Sequence, residues 1–210
     1  MAHASHLPGD VSALSRRAVL VGLSLTPVVP LAATPRHSAQ GLISAARRQI
    51  GVTVNYDPSY TTLAFPGGDV PRSKGVCTDV LIRAYRDAFA LDLQALVNAD
   101  MRRGFAAYPH RWGLRGPDRS IDHRRVPNLA TFFMRQHARL PIPQDPNEWQ
   151  PGDIFTSLID GRLPHTGIVS DRRPGGQAGY VIHNIGSGAR EEPALFRYPL
   201  TGRYRWALTA

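Results

Sequence analysis

The sequence predicts a single α+β domain in which N-terminal helices pack on a small antiparallel β-sheet. Apolar residues recur at helical spacing in the first half of the 210-residue chain, whereas the second half has short apolar runs separated by glycine- and proline-rich turns. Helices followed by a run of strands, without alternation of the two, are typical of α+β proteins. The composition, 42% apolar and 20% charged, is typical of a globular chain.

Residues 1–33 are predicted to be an export signal that precedes the domain. Arg16-Arg17 is followed by the apolar run 18–25 and by small residues that end at Ala33. The run is shorter than the roughly twenty residues that a membrane-spanning helix needs. Ser15 and the arginine pair fit a twin-arginine signal, with an ordinary secretory signal as the alternative. We expect a periplasmic or secreted protein, without stable membrane insertion after cleavage, whose one domain covers residues 34–210.

The helical part of the domain is expected to contain four helices. Apolar spacing predicts them at 38–50, 77–91, 92–104 and 129–137, the last capped by Asn128. The continuous apolar stripe of 77–91 makes it the clearest of them. Residues 52–73 are expected to be a loop with a short extended piece at 52–56, and residues 105–127 to be irregular.

Strands are expected at 154–157, 165–170, 180–185 and 204–208, separated by turns such as Asp160-Gly161. Alternation along the third strand assigns Val181, His183 and Ile185 to one face and Ile182 and Asn184 to the other. If these two strands are antiparallel neighbours, His165 and His183 can lie side by side.

Cys77 is the single cysteine of the chain, which excludes an internal disulfide and a cysteine-based zinc finger. It lies in the first turn of the predicted 77–91 helix, where unpaired amides and the helix dipole favour an anion. We therefore expect a depressed thiol pKa and a nucleophile. The alternative is a small buried apolar residue, but an unpaired thiol in an exported protein needs a functional reason.

Two strand histidines are the candidate partners of Cys77. His165 is expected to act as the base and proton donor, since this is the usual task of a histidine beside a nucleophile. His183 is expected to orient His165, with Asn184 as the alternative if the strand register differs. Each histidine taken alone would be interpreted as a structural or surface residue, and it is the order of cysteine helix, histidine strand and polar residue on the next strand that favours a site.

Three segments carry a resemblance to a known family: Gly75-Val76-Cys77-Thr78-Asp79-Val80, Pro164-His165-Thr166-Gly167-Ile168-Val169-Ser170 and Val181-Ile182-His183-Asn184-Ile185-Gly186. They resemble the cysteine and histidine motifs of NlpC/P60-type cell-wall peptidases, which have a papain-like fold. The chain departs from that pattern at Val76 and Thr78-Asp79, where those enzymes usually carry Asp before the cysteine and Ser-Gly after it. The insertion between the cysteine helix and the sheet is a further departure.

Longer strings resemble an uncharacterised bacterial family, domain of unknown function 1287. The similarity runs from about Ala45 to Trp206. It includes Tyr56-Asp57-Pro58, Pro66-Gly67-Gly68-Asp69-Val70-Pro71, Ile121-Asp122-His123-Arg124-Arg125-Val126-Pro127-Asn128-Leu129 and Trp149-Gln150-Pro151-Gly152-Asp153-Ile154.

The NlpC/P60 resemblance implies a papain-like fold and acyl transfer through a thioester. Cys77 would attack an amide carbonyl, and protonated His165 would release the amine before water completes the hydrolysis. The backbone amide of Cys77 is one candidate oxyanion donor. The Tyr56 hydroxyl is another, by analogy with a similarly placed tyrosine in those enzymes, and a loop-packing aromatic is the alternative for this residue.

A second dense cluster, Asp122-His123-Arg124-Arg125, is a candidate substrate-binding wall together with Asp79. Arginine pairs bidentately with carboxylates, so the wall suits a substrate that carries them. The alternative is an internal ion-pair network that ties the insertion to the domain. Asp79 would then stabilise the start of the cysteine helix and bind Arg124 or Arg125.

The function expected from the sequence is a cysteine hydrolase that cleaves an amide bond, with peptidoglycan stem peptides or another peptide as the substrate. A transpeptidase with the same dyad and a non-catalytic envelope-binding module are the alternatives. No cofactor and no metal site are expected, because no ligand spacing of a metal motif is present. The formal charge is +9, but the arginine pairs are scattered along the chain, and this distribution argues against nucleic acid as a partner.

Overall fold

The computed structural model describes residues 37–208, which form an α+β domain. Within this range the chain has four α-helices and a six-stranded antiparallel sheet, preceded by one short parallel strand pair. The predicted α+β class is therefore confirmed. The predicted export signal lies outside the described residues.

The helices are α1 (Ala39–Arg47), α2 (Cys77–Phe89), α3 (Leu93–Gly104) and α4 (Val126–Arg135). The predicted cap of α4 was wrong, because the helix begins at Val126 with Pro127 in its first turn and Arg125 at the cap position. Proline is accepted there because its missing N–H would have no helical partner. The Asn128 side chain instead donates to the backbone and carboxylate oxygens of Asp122.

The main sheet consists of β3 (Arg139–Leu140), β4 (Ile154–Ile159), β5 (Leu163–Val169), β6 (Tyr180–Asn184), β7 (Ala189–Pro193) and β8 (Leu200–Tyr204). Its spatial order is β3-β8-β4-β5-β6-β7, with every pairing antiparallel. The expected strand at 204–208 was misplaced, since β8 ends at Tyr204. β3 and β7 were not predicted, because β3 has two residues and β7 carries charges instead of an apolar alternation.

The sheet is covered on both faces where β5 and β6 cross its centre. Helix α2 packs on one face against β5 and β6, and this face contributes Ile168 and Ile182 to the larger core. The opposite face packs Val169 and Val181 in a smaller cluster with Trp149 and Phe155. The predicted alternation along β6 is confirmed, and it leaves the polar side chains of these strands buried.

The loop between α1 and α2 is fastened beside the start of α2. Its strand pair, β1 (Asn55–Tyr56) and β2 (Lys74–Gly75), is parallel. The buried Arg83 of α2 pairs with Asp69 at 2.9 Å and donates to the carbonyl oxygens of Val70 and Lys74. These bonds keep β1 close to the first turn of α2. None of the helices between residues 37 and 208 has the length and apolar character needed to cross a bilayer.

Candidate functional site

Cys77 is the first residue of α2, at the junction of the helix with the sheet. Val76 precedes it in an extended conformation, and the amide of Val76 donates to the Asp79 carboxylate at 2.7 Å. The thiol is buried, with 5% of the residue exposed. Backbone amides of Cys77, Thr78 and Thr166 act on the sulfur. Since Thr166 follows His165 in β5, this interaction locates the thiol near the middle of that strand.

The electrostatic surroundings of Cys77 differ from those expected from its position in the helix. Burial raises the pKa of the Cys77 thiol to about 11, and the negative charge of Asp79 adds to this effect. The three backbone amides lower the pKa without offsetting burial. The expected depressed pKa was therefore wrong. The position of Cys77 at the start of a helix indicates the amides that lower the pKa, but it does not indicate the burial that raises it.

A chain of three hydrogen-bonded side chains crosses the sheet from β7 to β5. His165 Nε2 and His183 Nδ1 are 2.8 Å apart, and His183 Nε2 lies 3.0 Å from Glu192 Oε1. Both histidines are almost fully buried. Burial, together with the neighbouring His183, lowers the pKa of His165 to about 3. The two rings are therefore neutral in the resting protein at neutral pH.

The acceptor at one end of this chain determines where its protons lie. The Glu192 carboxylate accepts only, so His183 Nε2 carries the proton and donates it. His183 Nδ1 then accepts from His165 Nε2, and the remaining lone pair of His165 is on Nδ1. In the part of the chain that the structure describes, this Nδ1 has no hydrogen-bond partner, and Cys77 has no hydrogen bond to His165. Nδ1 is therefore the atom of His165 available as a base. Both histidines lie on the face of the sheet that carries Val169 and Val181, opposite the face covered by α2, and neither lines the cleft onto which Cys77 opens. The structure thus joins His165 to His183 but not to Cys77, and proton transfer between the thiol and the ring requires the two to approach each other.

Glu192 was missed by the sequence reasoning because its strand was not predicted. Val181 is the direct cross-strand partner of Glu192, and His183 that of Arg190, so Glu192 and His183 share one face as diagonal neighbours. The adjacent acidic pair Glu191-Glu192 after a glycine-rich turn was the available signal. Nothing local in that signal identifies a histidine as the partner.

Asn184, the alternative orienter, serves a different part of the site. Its side chain donates to the carbonyl oxygen of Gly75 at 3.0 Å and accepts from the amide of Gly186. Of the two predicted partners, the structure bonds His183 to His165 and leaves Asn184 on the opposite face of β6. Asn184 therefore ties the end of the sheet to the segment that leads into Cys77.

Cys77 opens onto a cleft of about 510 Å³. The cleft is lined by Tyr56, Pro58, Tyr60, Val76, Cys77, Arg111, Trp112, Ile121, Arg124, Arg125, Val126, Pro127 and Pro164. Burial, with smaller contributions from Cys77 and Asp79, raises the pKa of Tyr56 to about 12. The Tyr56 hydroxyl thus stays protonated and can donate a hydrogen bond in the cleft that Cys77 also lines. Its role as an oxyanion donor stays a prediction.

Asp79 and Arg124, both predicted to bind substrate, are bonded to each other. Arg124 Nε and Nη2 donate to the two carboxylate oxygens of Asp79, each at 2.9 Å. The side chains are 3% and 2% exposed. Thr78 Oγ1 also donates to the backbone oxygen of Arg124. This pair fastens the 105–127 insertion to the first turn of α2, as the internal-network alternative expects.

The other three residues of the predicted wall have different surroundings. Asp122 accepts from Arg125 Nη1 at 2.8 Å and from the amide of Asp118 at 2.6 Å. His123 is buried and does not line the cleft, and burial together with Arg124 lowers its pKa to about 4. Arg125 lines the cleft and stacks on the Trp112 ring at 4.0 Å. Of the five wall residues, Arg124 and Arg125 reach the cleft surface.

No group of three or more His, Cys, Asp and Glu side chains within residues 37–208 is arranged to bind a metal ion. The buried histidines instead bond each other and Glu192.

The comparison with known proteins identifies the family of this chain. The chain is 47% identical over 183 residues to the "Uncharacterized protein YijF" of Escherichia coli (strain K12), and the alignment covers 86% of this chain and 89% of that protein. The family model described as "Domain of unknown function (DUF1287)" matches residues 43–206, a range that includes Cys77, both sheet histidines and Glu192. The chain therefore belongs to the DUF1287 family.

Proposed function

We propose that this protein is an exported cysteine hydrolase that cleaves an amide bond through a Cys77 thioester. The observation that carries the proposal is the hydrogen-bonded chain Glu192–His183–His165, which ends next to the strand residue whose amide acts on the Cys77 sulfur. A buried polar chain of this kind is costly to build and leaves one imidazole lone pair without a protein partner. A nucleophile, a base and an orienting group are the parts that acyl transfer needs.

The proposed first step is a coupled attack and proton transfer. The Cys77 sulfur forms a bond to the amide carbonyl carbon while its proton moves to His165 Nδ1. The resulting imidazolium donates to His183, whose proton is directed at the Glu192 carboxylate, so the new positive charge is stabilised as it forms. The backbone amide of Cys77 and the Tyr56 hydroxyl are the proposed donors to the oxyanion.

The second half of the reaction regenerates the thiol. His165 Nδ1 returns its proton to the amide nitrogen, the carbon–nitrogen bond breaks, and the amine leaves. Water then loses a proton to His165 and attacks the thioester carbon. When the carbon–sulfur bond breaks, the carboxylic acid is released and Cys77 regains its proton. An amine in place of this water would make the protein a transpeptidase.

Peptidoglycan stem peptides are the proposed substrate class, and the envelope is the proposed location. The predicted export signal and the NlpC/P60 motif resemblance support both. A papain-like arrangement is proposed on the same basis. It is supported by a cysteine at the start of a helix that packs on an antiparallel sheet, with histidines on two of the central strands.

The test is incubation of the purified protein with isolated peptidoglycan, followed by mass spectrometry of the soluble fragments. We expect fragments that each contain one added water at a cleaved amide, and no such fragments with Cys77→Ala or His165→Ala. His137→Asn is the matched control, since it alters an exposed histidine that does not line the cleft. Cleavage that survives in both site variants would refute the mechanism. Retained wall binding without cleavage by the wild type would identify a non-catalytic binding module.

A further inference from the structure

The charged side chains that line the cleft all have the same sign. They are Arg111, Arg124 and Arg125, and no aspartate or glutamate is among the described lining residues. Low-dielectric walls concentrate such a field inside a cleft. The space into which Cys77 opens is thus electropositive, and the three guanidinium groups differ in how fully the protein already satisfies them.

Each guanidinium nitrogen of Arg124 already donates a hydrogen bond within the protein. Its fork is filled by the bidentate Asp79 carboxylate, and its remaining donors point to the backbone oxygens of Asp57 and Ser59. A neutral buried pair of this kind adds little to the attraction of a ligand. The recognition of an anion therefore depends on the other two arginines.

Only part of the Arg125 guanidinium is hydrogen-bonded within the described residues. Its Nη1 donates to Asp122 at 2.8 Å, and this is its one side-chain hydrogen bond within residues 37–208. The guanidinium plane lies over the Trp112 ring at 4.0 Å, a cation–π arrangement that fixes its orientation. The donors that do not face Asp122 remain available at the cleft surface.

Arg111 precedes Trp112 and is exposed at the same cleft. Within the described chain it has no salt bridge and no side-chain hydrogen bond. The charges of Arg111, Arg125 and Asp122 leave a net charge of about +1, because Asp79 already compensates Arg124. This net charge matches a monoanion such as a carboxylate better than a dianionic phosphate.

We propose that Arg111 and Arg125, together with Trp112, form a carboxylate subsite that selects peptides bearing a free carboxylate close to the amide attacked by Cys77. The catalytic consequence rests on the proposed function, whereas the binding does not. Arginine forks recognise carboxylates bidentately, so amidation of the peptide removes both the charge and the second acceptor oxygen. The subsite thereby separates acidic peptides from their neutral amides.

The experiment measures peptide binding to the full-length Cys77→Ala protein by calorimetry. The probes are the tripeptide L-alanyl-γ-D-glutamyl-meso-diaminopimelic acid and the same tripeptide with its carboxyl groups amidated. We expect the acid to bind at least about tenfold more tightly, since the amide cannot form the charge-assisted hydrogen bonds to the guanidinium groups. Arg111→Ala and Arg125→Lys should each reduce this preference, by weakening binding of the acid and leaving the amide unchanged.

Arg115→Ala is the matched control, because it removes one exposed arginine of the same insertion that does not line the cleft. An equal affinity for acid and amide, or an unchanged preference in both variants, would overturn the subsite. So would no detectable binding, or displacement of the acid by inorganic phosphate more readily than by acetate. Hydrolysis by the wild type without acid preference refutes the subsite alone. Acid preference without hydrolysis refutes the proposed function alone.

Discussion

The buried Cys77 side chain is expected to be a protonated thiol at neutral pH, and the pH dependence of its alkylation tests this expectation. Its pKa in the folded protein is about 11 because burial outweighs the amides at the start of α2. The same cysteine in the unfolded chain has a pKa of about 8.5, which makes about a tenth of it thiolate at pH 7.5. The folded protein has about 0.03% thiolate at that pH, so folding should slow alkylation by a factor of at least about 300.

The assay is the rate of iodoacetamide addition to the one cysteine of the chain, followed by intact-protein mass spectrometry from pH 5 to 10. We expect the rate to rise about tenfold per pH unit throughout the range, because only the thiolate reacts. The protein in concentrated guanidinium chloride supplies the unfolded reference. His165→Gln should leave the slope unchanged, since a neutral His165 does not determine the charge of the sulfur.

A rate that is flat between pH 5 and 8 would refute this reasoning. It would mean that a thiolate–imidazolium pair forms in the resting site and that the helix amides and His165 outweigh burial. His165→Gln would then restore the slope. The measurement thus separates two electrostatic effects of opposite sign at one atom.

Three further predictions concern the central sheet and the buried histidines. Glu192→Ala should lower kcat in the peptidoglycan assay about tenfold to a hundredfold with little change in KM, whereas Glu192→Gln should retain most activity because its amide oxygen accepts the same bond; equal losses in both variants would contradict the orienting role. Gly167→Ala should reduce the free energy of unfolding in urea by about 1–3 kcal/mol. Its added Cβ would lie 2.8 Å from the Ile182 oxygen and 2.9 Å from the His183 Cβ, and an unchanged urea midpoint would refute this packing. Acidification from pH 7.5 to 4.5 should destabilise the fold, because the pKa values of His123 and His165 fall to about 4 and about 3. Their contribution is present above about pH 6.5 and is lost as the pH falls, by about 2 kcal/mol for each at pH 4.5; a urea midpoint that does not move over this range would contradict it.

Patterns of consecutive residues determined the helices, most of the strands and the site residues Cys77, His165 and His183. The period of apolar residues predicted α2, whose first residue is Cys77, and the alternation along β6 predicted which face carries His183. These features depend on a few consecutive residues, so they are legible in the sequence. The same limit explains the error at α4, where Pro127 in the first turn competed with Asn128 as the starting signal.

The tertiary structure decided the features that depend on residues distant in the chain. The orienting Glu192 comes from an edge strand without apolar alternation, and its bond to His183 follows from the register of β6 and β7. The sign of the Cys77 pKa shift depends on how deeply the packed domain buries the thiol. Arg124 is paired with Asp79, whereas Arg111 is available to a ligand, and this difference depends on which carboxylates the fold places beside each arginine. The sequence by itself thus specified the reactive groups, whereas desolvation and partner choice, which need the whole fold, specified their state.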